Sequence, residues 1–344
     1  MRIKNTPLGT GILILFFLAN GITANAQKTM NDYLSDWKKV EAFQKKGLPQ
    51  SALAEVEKIY TDASKNNNSP QVIKSILFKI SLQFNQQENA SDKNIRQIES
   101  ETTKAKEPAK SILQSITAQM YWNYFQQNRY RIYQRTNTDN FKKEDIAKWA
   151  TMDFHNKISQ LYFASIDNKN LLQKSKLDPF DAIILKGNVR YLRPTLYDLL
   201  AHRALEYFKN DERDIVKASY SFEINNNKVF APANEFVKEK FVSKDTFSLH
   251  FKALLIYQDL LAFHTGDENK DGLIEIDLDR VEFAKQYGVM PEKTELYINA
   301  LKDIYSKNKN NPAAAQAAYL VAQQIYSEAN EANESKKISS VYSI

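Results

Sequence analysis

Glycine is scarce in this chain and stands where helices would stop, and that constrains the fold more than any other feature. Of eight glycines in 344 residues, Gly9, Gly11 and Gly21 fall within the first 26 positions, leaving Gly47, Gly187, Gly266, Gly272 and Gly288 for all the rest. Sheets joined by tight hairpins need more turn glycines than that. Gly47 follows the amphipathic run 33–46, and Pro49 then opens a helix at a position that needs no backbone donor. Within that helix Ala52, Val56, Ile59 and Ala63 fall at i, i+4, i+7 and i+11, one stripe for one buried face. The cluster 66–69 ends it, and Pro70 starts another helix with Val72, Ile73, Ile76, Leu77 and Ile80 on its apolar side.

The same unit recurs near the end. Pro291 opens a helix ending Ile304-Tyr305, an Asn/Lys loop follows over 307–311, and Pro312 opens the next, 313–329. Small residues and aromatics alternate there at the spacing of tetratricopeptide-like hairpins. Between these echoes the periodicity predicts helices over 91–104, 109–127, 142–166, 195–209, 243–264 and 273–287. The fold class expected is therefore all-α: stacked antiparallel helical hairpins, a tetratricopeptide-like solenoid, with one long extended connection. That connection is 220–234, where Phe222, Ile224, Val229 and Phe230 alternate with polar residues around Asn225-Asn226-Asn227. Phe222, Val229, Phe230 and Pro232 are expected to lie against the helices, with 225–228 as an exposed tip. On this reading one helical domain spans 27–334, with blocks 27–215 and 235–334 joined by the strap, and 335–344 is a polar tail.

The first 26 residues read as a secretory signal peptide. Arg2 and Lys4 supply the positive start, 12–18 an apolar run too short to span a bilayer, and Ala24-Asn25-Ala26 a small-x-small cleavage site before Gln27. The mature chain is then expected in the periplasm or outside the cell, and not membrane-spanning. Of 47 Lys and Arg, two lie in the leader, so 45 face 41 Asp and Glu, a net charge of +4. Such a slight excess gives no reason to expect nucleic acid. Cysteine is absent. The fold must hold by burial alone, and a lipid-anchored mature N-terminus and thiol chemistry are excluded.

Three groups of residues could carry chemistry. Asp267, Asn269, Asp271 and Gly272 match the opening of a calcium loop, but Leu278 stands where the closing bidentate carboxylate belongs, so the stretch reads as a polar interhelix turn. Asp198, His202 and Glu206 share one helix face at i, i+4 and i+8, too extended to close on one ion. They read as a polar seam in which Arg193 or Arg203 pairs with Asp198 or Glu206; His155, His250 and His264 lie in separate helices. Tyr121, Trp122, Tyr124, Phe125, Tyr130 and Tyr133 interleave with Arg129, Arg131 and Arg135. Such a series either fills a helical core or forms an aromatic platform for glycan or peptide. No phosphate-cradling glycine loop, nucleophile elbow or paired-carboxylate signature is present. Neither enzymatic activity nor a cofactor is expected.

Several stretches, taken together and in order, carry a resemblance: Trp37-Lys38-Lys39-Val40, Gly47-Leu48-Pro49-Gln50-Ser51-Ala52-Leu53, Tyr121-Trp122-Asn123-Tyr124, Leu192-Arg193-Pro194-Thr195-Leu196-Tyr197-Asp198, Ala201-His202-Arg203-Ala204-Leu205 and Phe230-Ala231-Pro232-Ala233. The chain resembles, over essentially all of 27–344, the N-terminal helical region of very long alpha-2-macroglobulin family proteins of Gram-negative bacteria. In that family the region precedes macroglobulin β-sandwich domains and often a thioester domain, and the whole molecule traps or inhibits proteases in the periplasm. Without cysteine no thioester can form here, and nothing β-rich follows Asn330. The resemblance implies a stand-alone or truncated module: a non-catalytic periplasmic scaffold whose chemistry is contact with protein partners. The alternative is a glycan- or peptide-binding module at the outer membrane, with the aromatics of 121–133 as its platform; Tyr121, Trp122, Tyr124, Phe222 and Phe230 are the candidate interaction residues.

Overall fold

A computed structural model describes residues 33–84, 90–135, 145–212 and 220–342. The signal peptide expected over 1–26, the end of the first block at 213–215 and the last two residues of the tail lie outside the described residues. Those described form thirteen α-helices: α1 (Leu34–Lys45), α2 (Pro49–Lys65), α3 (Ser69–Phe84), α4 (Ala90–Lys104), α5 (Ala109–Tyr133), α6 (Thr151–Ile166), α7 (Lys169–Leu172), α8 (Leu196–Phe208), α9 (Ala233–Phe236), α10 (Leu249–His264), α11 (Asp271–Tyr287), α12 (Lys293–Lys307) and α13 (Ala315–Tyr342). Among them no strand forms; the extended backbone makes only isolated bridges, Lys176 with Thr195 and Ile224 with Gly288. The fold is all-α. No helix of the described residues is long and apolar enough to cross a membrane.

The punctuation at the N-terminal end acts as its residue types require. Gly47 adopts φ +68°, and the amides of Gly47 and Leu48 bond the carbonyls of Gln44 (3.0 Å) and Phe43 (2.9 Å), closing α1 in a Schellman turn before Pro49. Asn67, at φ +52°, repeats that turn after α2: its amide and that of Asn68 reach Ser64 O (3.3 Å) and Ala63 O (2.9 Å) before Pro70. Each helix then lies against its predecessor, α1 to α2 to α3 to α4 to α5 to α6, and onward through α8, α10, α11, α12 and α13. Trp37, Val40, Ala52, Val56, Ile59 and Ala63 form a small apolar cluster, while a single larger one runs from Ile73 to Leu320 and passes through the connection without a break.

Four boundaries depart from expectation, two of them for a local reason. The helix expected over 142–166 starts only at Thr151: among the residues described before it, Ile146–Lys148 make a 3₁₀ turn, with the Asp145 side chain accepting from the Ala147 amide. Residues 243–248 are not helical, because Ser243 Oγ and Asp245 Oδ1 take the amides of Asp245 and Phe247 and Ser248 then caps α10. At the other two, α5 runs on to Tyr133, and the polar tail continues α13 as far as Tyr342.

The connection 220–234 is not simply extended. Asn227–Phe230 form a 3₁₀ turn and α9 follows directly. Ile224, Val229 and Phe230 are buried and Phe222 is half-buried, with its ring edge-on to Phe251 at 5.3 Å. The tip is exposed as expected at Asn225, Asn227 and Lys228 and is also tied down: Asn226 Oδ1 accepts from the Lys228 amide (2.9 Å), Asn226 Nδ2 reaches Glu239 (3.2 Å) and Asn227 Nδ2 reaches Glu292 (2.7 Å). Arg280 of α11 holds the turn from beneath. Its Nε and Nη2 donate to Asp277 Oδ1 at 2.9 and 2.6 Å, Nη1 donates to the Val229 carbonyl, and the guanidinium lies 4.5 Å from the Phe236 ring centre. Gln258 of α10 donates to the carbonyls of Phe236 and Glu239, both at 2.8 Å.

Arg280 is 1 % exposed, so its removal strands a buried carboxylate and a buried carbonyl together. Arg280→Ala is expected to cost about 3–5 kcal/mol in urea unfolding, because it leaves Asp277 uncompensated. The cap change Asn226→Ala should cost about 1 kcal/mol.

Candidate functional site

An open cleft of about 490 Å³ lies where the C-terminal end of α5 meets the connection and the facing ends of α10 and α11. Arg129, Tyr130 and Tyr133 line one side, Phe222, Glu223 and Ile224 another, and His250, Tyr287 and Val289 the third, with Asp211 and Glu212 at the edge. Glu212 organises the first wall: Arg129 Nη1 reaches its Oε1 at 3.1 Å and Tyr133 OH donates to its Oε2 at 2.7 Å. Burial, and then the carboxylate beside it, push the Tyr133 phenol well up, so it stays a donor. Tyr130 is 74 % exposed, with the Arg129 guanidinium 5.1 Å from its ring centre. On the opposite wall Val289 N bonds Ile224 O at 3.0 Å, which fixes the backbone at Ile224 in an isolated bridge, and the rings of His250 and Tyr287 stand 4.2 Å apart. Aromatic faces, charges of both signs and a bridged main chain thus surround one concave site.

The aromatic series divides between this cleft and the core. Tyr121 is buried against Trp149 at 5.3 Å, Trp122 lies against Phe125 at 5.4 Å and edge-on to Tyr207 at 5.2 Å, and Tyr124 stacks on Phe154 at 5.7 Å. The first is buried and the other two half-buried, all packed into the layer of α5, α6 and α8. Phe230, in the 3₁₀ turn of the connection, is buried. Arg129, Tyr130 and Tyr133 of the series and Phe222, Glu223 and Ile224 of the connection line the cleft; His250, noted in the sequence only as an isolated histidine, joins them with Asp211 and Glu212, which the sequence did not mark. No short-range pattern marks these three, because the fold brings them in from separate helices and a helix end.

The histidines and acids meet elsewhere, at the junction of α8, α10 and α11. Asp198 closes the N-terminus of α8 in a capping box: its Oδ2 accepts from Thr195 N (2.9 Å) while Thr195 Oγ1 accepts from Asp198 N (3.3 Å). Its Oδ1 lies 3.1 Å from His264 Nε2, close enough for an ionic contact though off the line of an aligned hydrogen bond. His264 Nδ1 bonds Asp267 Oδ2 at 2.7 Å. A carboxylate at a helix N-terminus thus meets an imidazole in the last turn of another, each where the helix dipole favours its charge. Burial opposes protonation of His264, but the two carboxylates beside it outweigh that and raise its pKa. His202, one turn along α8, goes the other way: burial first, then the charges of Arg193, His264 and Lys209, hold it well below the usual range.

The expected pairing of Arg193 or Arg203 with Asp198 or Glu206 is not what forms. Arg193 bonds Glu275, Arg203 Nε bonds Ser115 Oγ at 2.9 Å, and Glu206 is an exposed neighbour of Lys209 at 3.9 Å. The cap and the histidine already occupy Asp198, so no place remains for an arginine. His155 is buried and its Nδ1 stands 2.7 Å from Tyr207 OH. In the calcium-like loop Asn269 Oδ1 accepts from Asp271 N (3.0 Å) and Asp271 Oδ1 from Asn311 Nδ2 (2.7 Å), so its oxygens brace the turn between α10, α11 and the start of α13. Among the described residues no group of three or more His, Asp or Glu is placed to hold a metal ion. No protein-family model, curated protein or solved structure matches the chain.

The His264 contribution is full below the unfolded histidine value and lost as pH rises through the raised folded value. His264→Gln is therefore expected to destabilise the protein more at about pH 6 than at about pH 9, read as the difference in Tm from the parent. His202→Gln should do the reverse, relieving a penalty that grows as pH falls below the unfolded value. A Cβ at Gly272 would stand 2.9 Å from Leu192 O and 3.1 Å from the His264 ring. Gly272→Ala should accordingly lower Tm at every pH, despite alanine's better helix propensity.

Proposed function

We propose that this chain is a non-catalytic helical interaction module that holds a short segment of a partner protein in the cleft between α5, the connection and the α10–α11 ends. The observation that carries this reading is the cleft wall itself, where the exposed Tyr130 ring faces a site bounded by the bridged backbone at Ile224. Amphipathic aromatics supply contact area at low entropic cost, and the hydrogen bond between Ile224 and Val289 keeps the wall they face fixed. Arg129, Glu212, Asp211 and Glu223 would select among partners by charge.

The chain-order packing of the helices and the twin Schellman turns before Pro49 and Pro70 support stacked hairpins of the tetratricopeptide-like kind. The leader over 1–26 supports an exported module. The resemblance to the N-terminal region of bacterial alpha-2-macroglobulin family proteins supports a periplasmic scaffold related to protease inhibitors, in which this region makes protein contacts and takes no part in covalent trapping. In such a scaffold the cleft is where a partner segment docks.

Selection of random displayed peptides against the chain lacking residues 1–26 tests the reading. Enriched peptides are expected to bind the parent and to lose roughly tenfold or more in affinity with Tyr130→Ser or Phe222→Ala. Tyr319→Ser, which changes an exposed ring on α13, should leave binding intact. Absence of enrichment, peptides indifferent to the cleft variants, or recognition of oligosaccharides instead would overturn it.

A further inference from the structure

A second concavity, of about 330 Å³, lies between α3, α5 and α8 and shares no lining residue with the cleft. Its walls are aliphatic: Leu77, Ile112 and Ile116 on the helices, Ile183 and Ile184 on the loop above, and Leu199 and Leu200 on α8. Leu185, 98 % exposed, also lines it. The one charged group is Arg203. Its Nε is fixed on the buried Ser115 Oγ at 2.9 Å, and among the described residues no carboxylate lies within ion-pairing distance of it. The guanidinium is thus held by one nitrogen, with Nη1 and Nη2 left as the fork that matches a carboxylate in two parallel bonds.

We infer that this groove binds the aliphatic chain of a medium-chain carboxylic acid, with the carboxylate on Arg203. Two features select that occupant. A half-buried arginine without an acidic partner calls for an anion, and a single polar group in an otherwise aliphatic lining fits a ligand with one polar end. A peptide would have to bury main-chain amides against Ile112, Ile116, Ile183 and Leu200 with nothing there to pair them.

Calorimetric titration of the chain lacking residues 1–26 with monomeric decanoate tests the assignment, with decanol and decyltrimethylammonium as neutral and cationic counterparts. Decanoate should bind, and decanol about tenfold or more weakly, the loss of one charge-assisted contact. Arg203→Gln should weaken decanoate by a similar factor and leave decanol unchanged. Because Arg203 also braces α8 on α5, Leu185→Asp provides a second reading at a fully exposed position, where a carboxylate beside the groove should weaken decanoate and spare decanol. Equal binding of decanoate and decanol to the parent, undiminished decanoate affinity in both variants, binding only to vesicles of anionic phospholipid, or no binding of any probe would overturn the assignment.

Discussion

The buried guanidinium of Arg280 is the contact on which the C-terminal half of the molecule depends. A charge withdrawn this far from water is tolerated only with its donors satisfied, and here an acid on its own helix, a main-chain carbonyl and an aromatic face do so. The carbonyl belongs to Val229, in the middle of what would otherwise be a long loop. The chain from 222 to 236 is consequently folded onto α10 and α11, with Gln258 holding its far end and Val289 its near end. That arrangement makes one wall of the cleft rigid, which a binding surface needs if ordering it is not to offset the contacts it makes.

Two polar junctions hold α8, α10 and α11 together. Tyr257 OH and Lys209 Nζ both reach Asp279, at 2.8 and 2.9 Å, joining α8, α10 and α11. The Asp198–His264–Asp267 contact joins α8 to α10 and to the turn before α11, with Gly272 of α11 permitting the close approach. Apolar burial supplies most of the driving force for such a stack but is indifferent to register. Directional contacts between helices specify how α8, α10 and α11 align, and so where His250 and Tyr287 stand in relation to Tyr130 and Phe222.

The local punctuation was legible in the sequence and the long-range pairing was not. Gly47, Pro49, Pro70 and Pro312 act at the positions their backbone chemistry demands, and the i, i+4, i+7 stripe of α2 is buried as its spacing requires. The apolar character of the connection correctly marked it as packed. Its 3₁₀ turn and Asn226 cap were hidden because asparagines read equally well as an exposed tip. Asp198 and His264 each stood out as polar residues in apolar surroundings, yet nothing in their separation of 66 positions pairs them, and nearby arginines looked like better partners. Arg280, three residues after Asp277 and flanked by Ile276, Val281 and Phe283, carried a signal for a buried ion pair, though not for its bond to Val229. The cleft gathers residues from α5, the stretch after α8, the connection, α10 and the end of α11, which periodicity within any one helix cannot reveal.

The central claim is that the connection is a structural wall fixed by Arg280, on which a binding cleft is built. Amide hydrogen exchange of the unliganded chain, followed by mass spectrometry over peptides covering 222–236, tests it most directly. If the account holds, this segment exchanges as slowly as α10 and α11, in the same opening event. Exchange as fast as at the exposed positions 185–189, with α10 and α11 still protected, would show the connection to be a loose loop and would contradict it.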